Sequence, residues 1–272
     1  MKNNDWTGER LETNITSEIM LEHLHRYALA MEFTKEKKVL DIACGEGYGT
    51  KLIAKDAEEV KGVDIDINVI SRAKKKYTSG NIEFVTGSIL GIPFEDNYFD
   101  IITSFETLEH IPDHEKAICE LKRVLHPNGM LFISTPEKST YSDKTGYKNP
   151  FHKKELYKHE LEALLKNLFK EVKILGQHSS SISAIYDEEV VTRETYFSGD
   201  FKNINNVSKP EPAFLIAVAS DNTLPSINNS FFLHPKTLSD LLQDEKEVNK
   251  KTVSYRIGNA ILYPLKLVKR LL

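Results

Sequence analysis

A short apolar run, Val39 to Ile42, carries an acid at Asp41 and breaks into a turn with glycines at 45, 47 and 49. Helix-compatible sequence follows from Thr50 to Asp56. About twenty residues beyond Gly45, a second apolar run, Val60-Lys-Gly-Val-Asp64, ends in an acid. That is the grammar of a nucleoside-binding α/β unit, although the glycine-rich turn taken alone also reads as a tight strand-to-helix turn. Glycine lets a backbone approach a ligand where a Cβ would collide. Asp64, at the carboxyl end of the second strand, is placed to accept hydrogen bonds from ribose hydroxyls.

The spacing separates two kinds of nucleoside. Dinucleotide binders use Gly-x-Gly-x-x-Gly and seat phosphates on a helix N-terminus. Here the glycines alternate strictly, Asp41 stands just before them, and Glu46 lies inside the turn. Negative charge at that point suits a cationic ligand better than a pyrophosphate. S-adenosylmethionine, with its sulfonium and ammonium, is such a ligand.

The rest of the chain reads as alternating strands and helices. Strand-like runs lie at 38–42, 60–64, 82–86, 99–104, 130–135, 171–175 and 213–219, and helical segments at 16–33, 47–56, 67–77, 113–125 and 153–168. Alternation of this kind predicts a mostly parallel sheet with right-handed crossovers. Three divisions are expected: an N-terminal helical cap over 1–36, a ligand-binding domain over 37–220, and a tail over 221–272. Residues 176–212 are an arm, lid or loop before the last strand. The net charge of -4 over 272 residues argues against a dedicated nucleic-acid binder. Two cysteines make no disulfide framework and read as reduced thiols, which predicts a cytoplasmic protein. The N-terminus lacks a signal-peptide core, and no run of about 18 apolar residues predicts a membrane span.

Four separated motifs carry a family resemblance: VLDIACGEGYG (39–49), VKGVDID (60–66), IEFVTGSILGIPFEDNYFDIITSFETLEHIPD (82–113) and LKRVLHPNGMLFISTP (121–136). The chain resembles the class I S-adenosylmethionine-dependent methyltransferases, of the type 11 kind, over roughly 37–176 and the strand at 213–219. Its flanks, GERLETNITSEIMLEHLHRYALA (8–30) and NPFHKKEL (149–156), look like the subset found with bacterial polysaccharide and nucleotide-sugar enzymes. The resemblance implies a Rossmann-like, doubly wound α/β sheet of seven strands in the order 3-2-1-4-5-7-6, with strand 7 antiparallel. It also implies S-adenosylmethionine as cofactor. Asp41 would hold the turn and face the methionine ammonium. Gly45 and Gly47 would approach the cofactor, with Ala43 replacing the family's first glycine. Asp64 would take the ribose, Ile65 would pack on the adenine, and Ser88 with Ile89 would stand where an adenine-binding Asp is usual. Ser104, ending strand 4, completes the expected cofactor set.

Methyl transfer from a sulfonium is an in-line displacement governed by positioning and desolvation. A sugar hydroxyl gains from a general base, and histidine suits neutral pH. Of nine histidines, His110 after strand 4 and His152 after strand 5 share the rim expected to hold the acceptor. Either is a candidate base, and either is also a plain turn or helix-start residue. Arg10, His23, His25, Arg26 and Glu106 are candidate acceptor contacts. No cysteine–histidine pattern or carboxylate spacing predicts a metal. The expected activity is O-methylation of a sugar, nucleotide-sugar or surface-glycan group. Methylation of N or C on another metabolite, and a non-catalytic binding module, remain as alternatives. The final segment places Ile257, Ile261, Leu265, Val268 and Leu272 on one face beside basic residues. It reads as a helix packed on the domain, at a homodimer interface, or on a membrane surface or partner.

Overall fold

The computed structural model describes residues 18–179, 182–187, 196–199 and 204–233. The chain divides into a body, Met1–Phe232, and a C-terminal unit, Leu233–Leu272. The amphipathic segment over 257–272 and Arg10 both lie outside the described residues.

Helix α1 (Glu18–Met31) precedes β1 (Lys38–Ile42), α2 (Tyr48–Ile53), β2 (Glu59–Asp64), α3 (Ile67–Lys76) and β3 (Ile82–Thr86). Then come β4 (Phe99–Ser104), a 3-10 turn (Leu108–His110), α4 (His114–Val124), β5 (Leu125–Pro136) and α5 (Lys158–Lys166). The last strands are β6 (Glu171–Ser179), β7 (Ile182–Asp187), β8 (Tyr196–Gly199), β9 (Ile204–Val207), β10 (Phe214–Ser220) and β11 (Ser230–Leu233).

The main sheet runs β3-β2-β1-β4-β5-β10-β6-β7-β11, nine strands in all. The expected seven-strand order is contained in it. β10 holds the seventh strand's place, antiparallel to both β5 and β6. β7 returns antiparallel along β6, and β11 pairs with β7, widening the sheet past its expected edge. The stretch 176–212 therefore contributes the end of β6, all of β7 and a separate two-stranded ribbon, β8 with β9.

The central strands β1, β4, β5 and β10 are buried on both faces over most of their length, so their side chains split into two cores by alternation. Leu40, Ile42, Ile102, Leu131, Ile133, Leu215 and Ala217 face α4 and α5. Val39, Val60, Ile101, Phe132, Ile216 and Val218 belong to the opposite core, with Tyr27 and Leu29 of α1 and Ile53 of α2. Each fully buried aliphatic contributes about 1.5–3 kcal/mol. α3 and α4 start where Asp66 and Asp113 accept backbone N–H bonds from Asn68 and Lys116, and both end in basic residues that suit the helix dipole. α5 begins at Lys158, later than the sequence pattern suggests: the amides of Lys153 and Lys154 bond the Glu109 carbonyl, and Leu156 bridges Glu137.

Helix α1 is tied down by polar contacts. Arg26 is fully buried: its Nε donates to Gln177 Oε1 at 2.7 Å, and its guanidinium lies 4.5 Å from the Phe214 ring centroid. Gln177 Nε2 donates to the Glu22 carbonyl at 3.1 Å and to Ser183 Oγ at 2.9 Å. His25 bridges Ser183 Oγ and Ser230 Oγ, both at 2.9 Å. These bonds fasten α1 to β6, β7 and β11.

Candidate active site

The carboxyl ends of β1, β2 and β4 open onto a crevice of about 380 Å³. It forms where the winding direction of the sheet reverses, the usual ligand position in such folds.

Its floor is the glycine turn. Ala43, Gly45 and Gly47 all take left-handed backbone conformations, at φ 60°, 53° and 89°. Gly47 has a second constraint, since a Cβ there would meet the Phe84 ring at 2.7 Å. A Cβ at Gly45 would meet nothing within 4 Å, so this residue turns bare backbone to the crevice. Ala43 takes the same kind of conformation with a side chain, at about 1–2 kcal/mol.

Asp64 is 5% exposed and lines the crevice. Its Oδ2 accepts the Gly45 N–H at 3.0 Å and its Oδ1 the Asp66 N–H at 2.9 Å. Two backbone donors thus aim the carboxylate and join β2 to the glycine turn. Ile65 beside it is 71% exposed, an apolar side chain left at the mouth. Ser88 and Ile89 line the same wall, and the Ser88 hydroxyl accepts the Leu90 N–H at 3.2 Å.

Asp41 lies behind this wall, not among the residues lining it. Tyr27 and Thr103 donate to Oδ1 at 3.1 and 2.9 Å, and Thr50 to Oδ2 at 2.6 Å. It is a knot joining α1, α2 and β4 to β1, and burial raises its pKa to about 6 against the hydrogen bonds from Thr50, Thr103 and Tyr27, which lower it. The direct or water-mediated contact with an ammonium expected of Asp41 does not fit a side chain 1% exposed and enclosed by hydroxyls. Gly47 and Ser104 are likewise buried away from the lining. The Ser104 hydroxyl has no hydrogen-bond partner among the described residues.

α1 offers one residue of the expected acceptor set to the crevice. His23 lines it, and its Nδ1 pairs with Tyr48 Oη at 2.9 Å. Burial, then the Arg26 charge, lowers its pKa to about 3, so the ring is neutral. Tyr27 follows one turn on and also lines the crevice. His25 and Arg26 do not, because they point into the sheet-side network described above. Burial, with Arg26 second, lowers His25 to about 4.

The acceptor rim is built from the end of β4. Glu106 has φ 48°, held by its N–H donating to Ser134 O at 3.2 Å and Ser134 Oγ at 3.1 Å. Its Oε1 accepts from Ser134 Oγ at 2.7 Å and lies 3.3 Å from Arg26 Nη1. Buried Glu109 is pushed well above the usual carboxylate range by burial and, secondarily, by Glu106.

His110 lines the crevice, and its Nδ1 lies 3.1 Å from the Phe151 carbonyl. A carbonyl only accepts, so Nδ1 carries the hydrogen and Nε2 keeps its lone pair. His152 is placed differently. Its Nδ1 pairs with Glu155 Oε1 at 2.5 Å and its Nε2 with the Asn149 amide nitrogen at 3.1 Å, and it does not line the crevice. It stands 5.1 Å, ring to ring, behind His110. Both of its nitrogens are occupied, which disfavours it as the base.

Tyr27, Tyr48, Phe105, Thr107 and Phe151 also line the crevice without having been singled out from sequence. Tyr27 carries the signal of an ordinary helix-core position. Phe151 arrives from a segment about forty residues beyond His110 in the chain, and no local pattern announces it.

Residues 40–133 match the family model for a methyltransferase domain. A protein of Mycolicibacterium smegmatis described as a "probable S-adenosylmethionine-dependent methyltransferase" is 33% identical over 162 residues, 58% of this chain and 62% of the relative. The demethylmenaquinone methyltransferase of Bacillus pumilus is 36% identical over 124 residues, 43% of this chain and 53% of the enzyme. The chain thus spans less than two thirds of the length of these curated relatives. Among solved structures, an S-adenosylmethionine-dependent methyltransferase of Thermotoga maritima superposes with a TM-score of 0.55 at 18% identity, covering 75% of this chain and 91% of that one. One from Archaeoglobus fulgidus gives 0.54 at 20%, covering 76% and 95%. These two show the fold. Residues 40–133 thus carry the likeness to a methyltransferase domain, and the sequence relatives are described as S-adenosylmethionine-dependent.

Proposed function

We propose that the chain transfers a methyl group from S-adenosylmethionine to a hydroxyl of a small acceptor, with His110 as general base. The observation that carries this reading is the His110–Phe151 bond. It fixes the ring and its tautomer and leaves a basic nitrogen on the crevice side.

The crevice suits the donor. Gly45 presents backbone without a side chain, Asp64 presents an aimed carboxylate, and Ile65 presents an apolar face. Asp64 would hold the ribose hydroxyls, Ile65 and Ile89 the adenine, and Ser88 one polar edge of that ring. Glu46, Asp64 and Glu106 make the lining acidic, which favours a ligand carrying positive charge. When bound, S-adenosylmethionine supplies a methyl group on a positively charged sulfur. The protein's part is then to hold the acceptor oxygen in line, exclude water, and take the hydroxyl proton at His110 Nε2. Tyr27, Phe105 and Phe151 provide apolar walls, and Glu106 and His23 are polar contacts for the acceptor.

The acceptor we favour is a sugar, nucleotide-sugar or glycan-modifying group, on the flanking sequences NPFHKKEL and GERLETNITSEIM. A second reading, C-methylation of a phenolic metabolite, is supported by the similarity to the demethylmenaquinone enzyme. It uses the same base, since removing a phenolic proton activates the ring carbon. Calorimetry with S-adenosylmethionine tests the donor site: Asp64→Asn should weaken binding by roughly 10–100-fold, the cost of about 1.5–3 kcal/mol for a lost charged hydrogen bond. Unchanged affinity refutes the assignment. Turnover on parallel panels of nucleotide-sugars and phenolic acceptors separates the two acceptor classes.

A further inference from the structure

We propose that Glu109, His110 and His152 form a binding site for one divalent transition-metal ion at the rim of the crevice. One ligand atom from each lies within 4.8 Å of the other two. Tetrahedral bonds of about 2.0–2.2 Å put neighbouring donors roughly 3.3 Å apart, so modest side-chain rotations close the ring. Two imidazoles and one carboxylate, with remaining positions open, suit Zn²⁺, Co²⁺ or Fe²⁺ and not the oxygen-seeking Ca²⁺ or Mg²⁺.

The second nitrogens of the two histidines argue for a built site. His110 Nδ1 donates to the Phe151 carbonyl, and His152 Nδ1 donates to the Glu155 carboxylate. Metal-bound histidines nearly always have such a carbonyl or carboxylate behind them, because it fixes the tautomer that leaves Nε2 basic. Glu109 Oε1 faces His110 Nε2 at 3.9 Å, and Thr135 donates to its Oε2 at 3.2 Å. The backbone fixes the distance between the two halves. The Glu109 carbonyl accepts from Lys153 N at 2.7 Å and Lys154 N at 3.1 Å, which holds residue 152 beside residue 109. Without a cation, the Asn149 amide donates to His152 Nε2 at 3.1 Å, and it must swing aside for the ion to bind.

The site does not depend on the methyl-transfer reading, but it bears on it. His110 Nε2 has one lone pair, so a metal ion and a substrate proton exclude one another there. Occupancy would inhibit transfer and a chelator would restore it.

The test is metal binding by the full chain, freed of any tag and with no donor present. Zn²⁺ is followed by calorimetry and Co²⁺ by its visible absorption. The expected result is one equivalent bound. His110→Ala and His152→Ala should each weaken binding at least tenfold, and Glu155→Gln, which keeps all three ligands, by roughly 10–100-fold. His126→Ala, near the amino end of β5 and so at the end of the sheet opposite the crevice, should leave it unchanged. No stoichiometric binding overturns the site, and so does a loss below tenfold in either ligand variant shown to be folded by circular dichroism. Because the readout is metal alone, failure of methyl transfer leaves this outcome legible.

Discussion

The two halves of the crevice are made in different ways. The donor half rests on backbone: left-handed residues at 43, 45 and 47, and two N–H groups that aim Asp64. All of it comes from 24 consecutive residues, Ala43 to Asp66. The acceptor half rests on side chains from separate segments. Glu106 leans on Ser134 and Arg26, and His110 takes its tautomer from Phe151. A donor shared by many enzymes can be held by a local backbone device. An acceptor particular to one enzyme needs groups gathered from across the fold.

Substitutions can break that division. His110→Ala should lower turnover by roughly 10²–10⁴-fold, the usual worth of a general base, with S-adenosylmethionine affinity nearly unchanged. A matched loss of donor affinity would show that the halves are not separate. Arg26→Ala, which removes a buried cation linking α1, β6 and Glu106, should cost about 3–5 kcal/mol in denaturant unfolding. A loss under about 1 kcal/mol would mean that α1 is held by its apolar contacts alone.

Asp41 gives a pH test of the donor half. Its folded pKa, about 6, lies above the 3.8 of an ordinary aspartate. The folded chain therefore binds this proton more tightly than the unfolded chain does. Stability attributable to Asp41 is present below about pH 4, falls as pH rises, and is lost above about 6. Asp41→Asn has no such proton, so its stability relative to the parent should climb by about 3 kcal/mol across that window and then level off. A flat difference between pH 4 and 7 would contradict the burial argument. The smallest effect is expected at Ala43, where Ala43→Gly relieves a left-handed alanine and should stabilise the fold by up to about 1 kcal/mol. A lower melting temperature would show that the Cβ there makes contacts worth more than the strain.

The same division explains what the sequence made visible. A turn that needs positive φ must spend glycines on it, so the 43–49 segment and the acid at 64 are legible residue by residue. The helical segment that became α4 and the apolar runs of β1, β4 and β5 follow from local pattern. The strand order came through the family resemblance, and the antiparallel place of β10 agrees with it. The edge strands β7 and β11 were not legible, because they are placed by pairings such as His25 with Ser230, 205 residues apart. Arg26 reads from sequence as a candidate acceptor contact, since nothing near it shows Gln177 or Phe214 waiting to cover it. His152 could have been read more closely. Glu155, three residues on, was the signal that its ring was already engaged.

One carbonyl, that of Glu109, receives the amide hydrogens of both Lys153 and Lys154. This welds the segment carrying Phe151 and His152 to the segment carrying His110. Sequence drift anywhere in 149–157 is thereby felt at His110 without touching it, while the grip on the donor stays as it was. On the proposed reading, edits to a short stretch far along the polypeptide retune the choice of acceptor and leave the donor turn as it is.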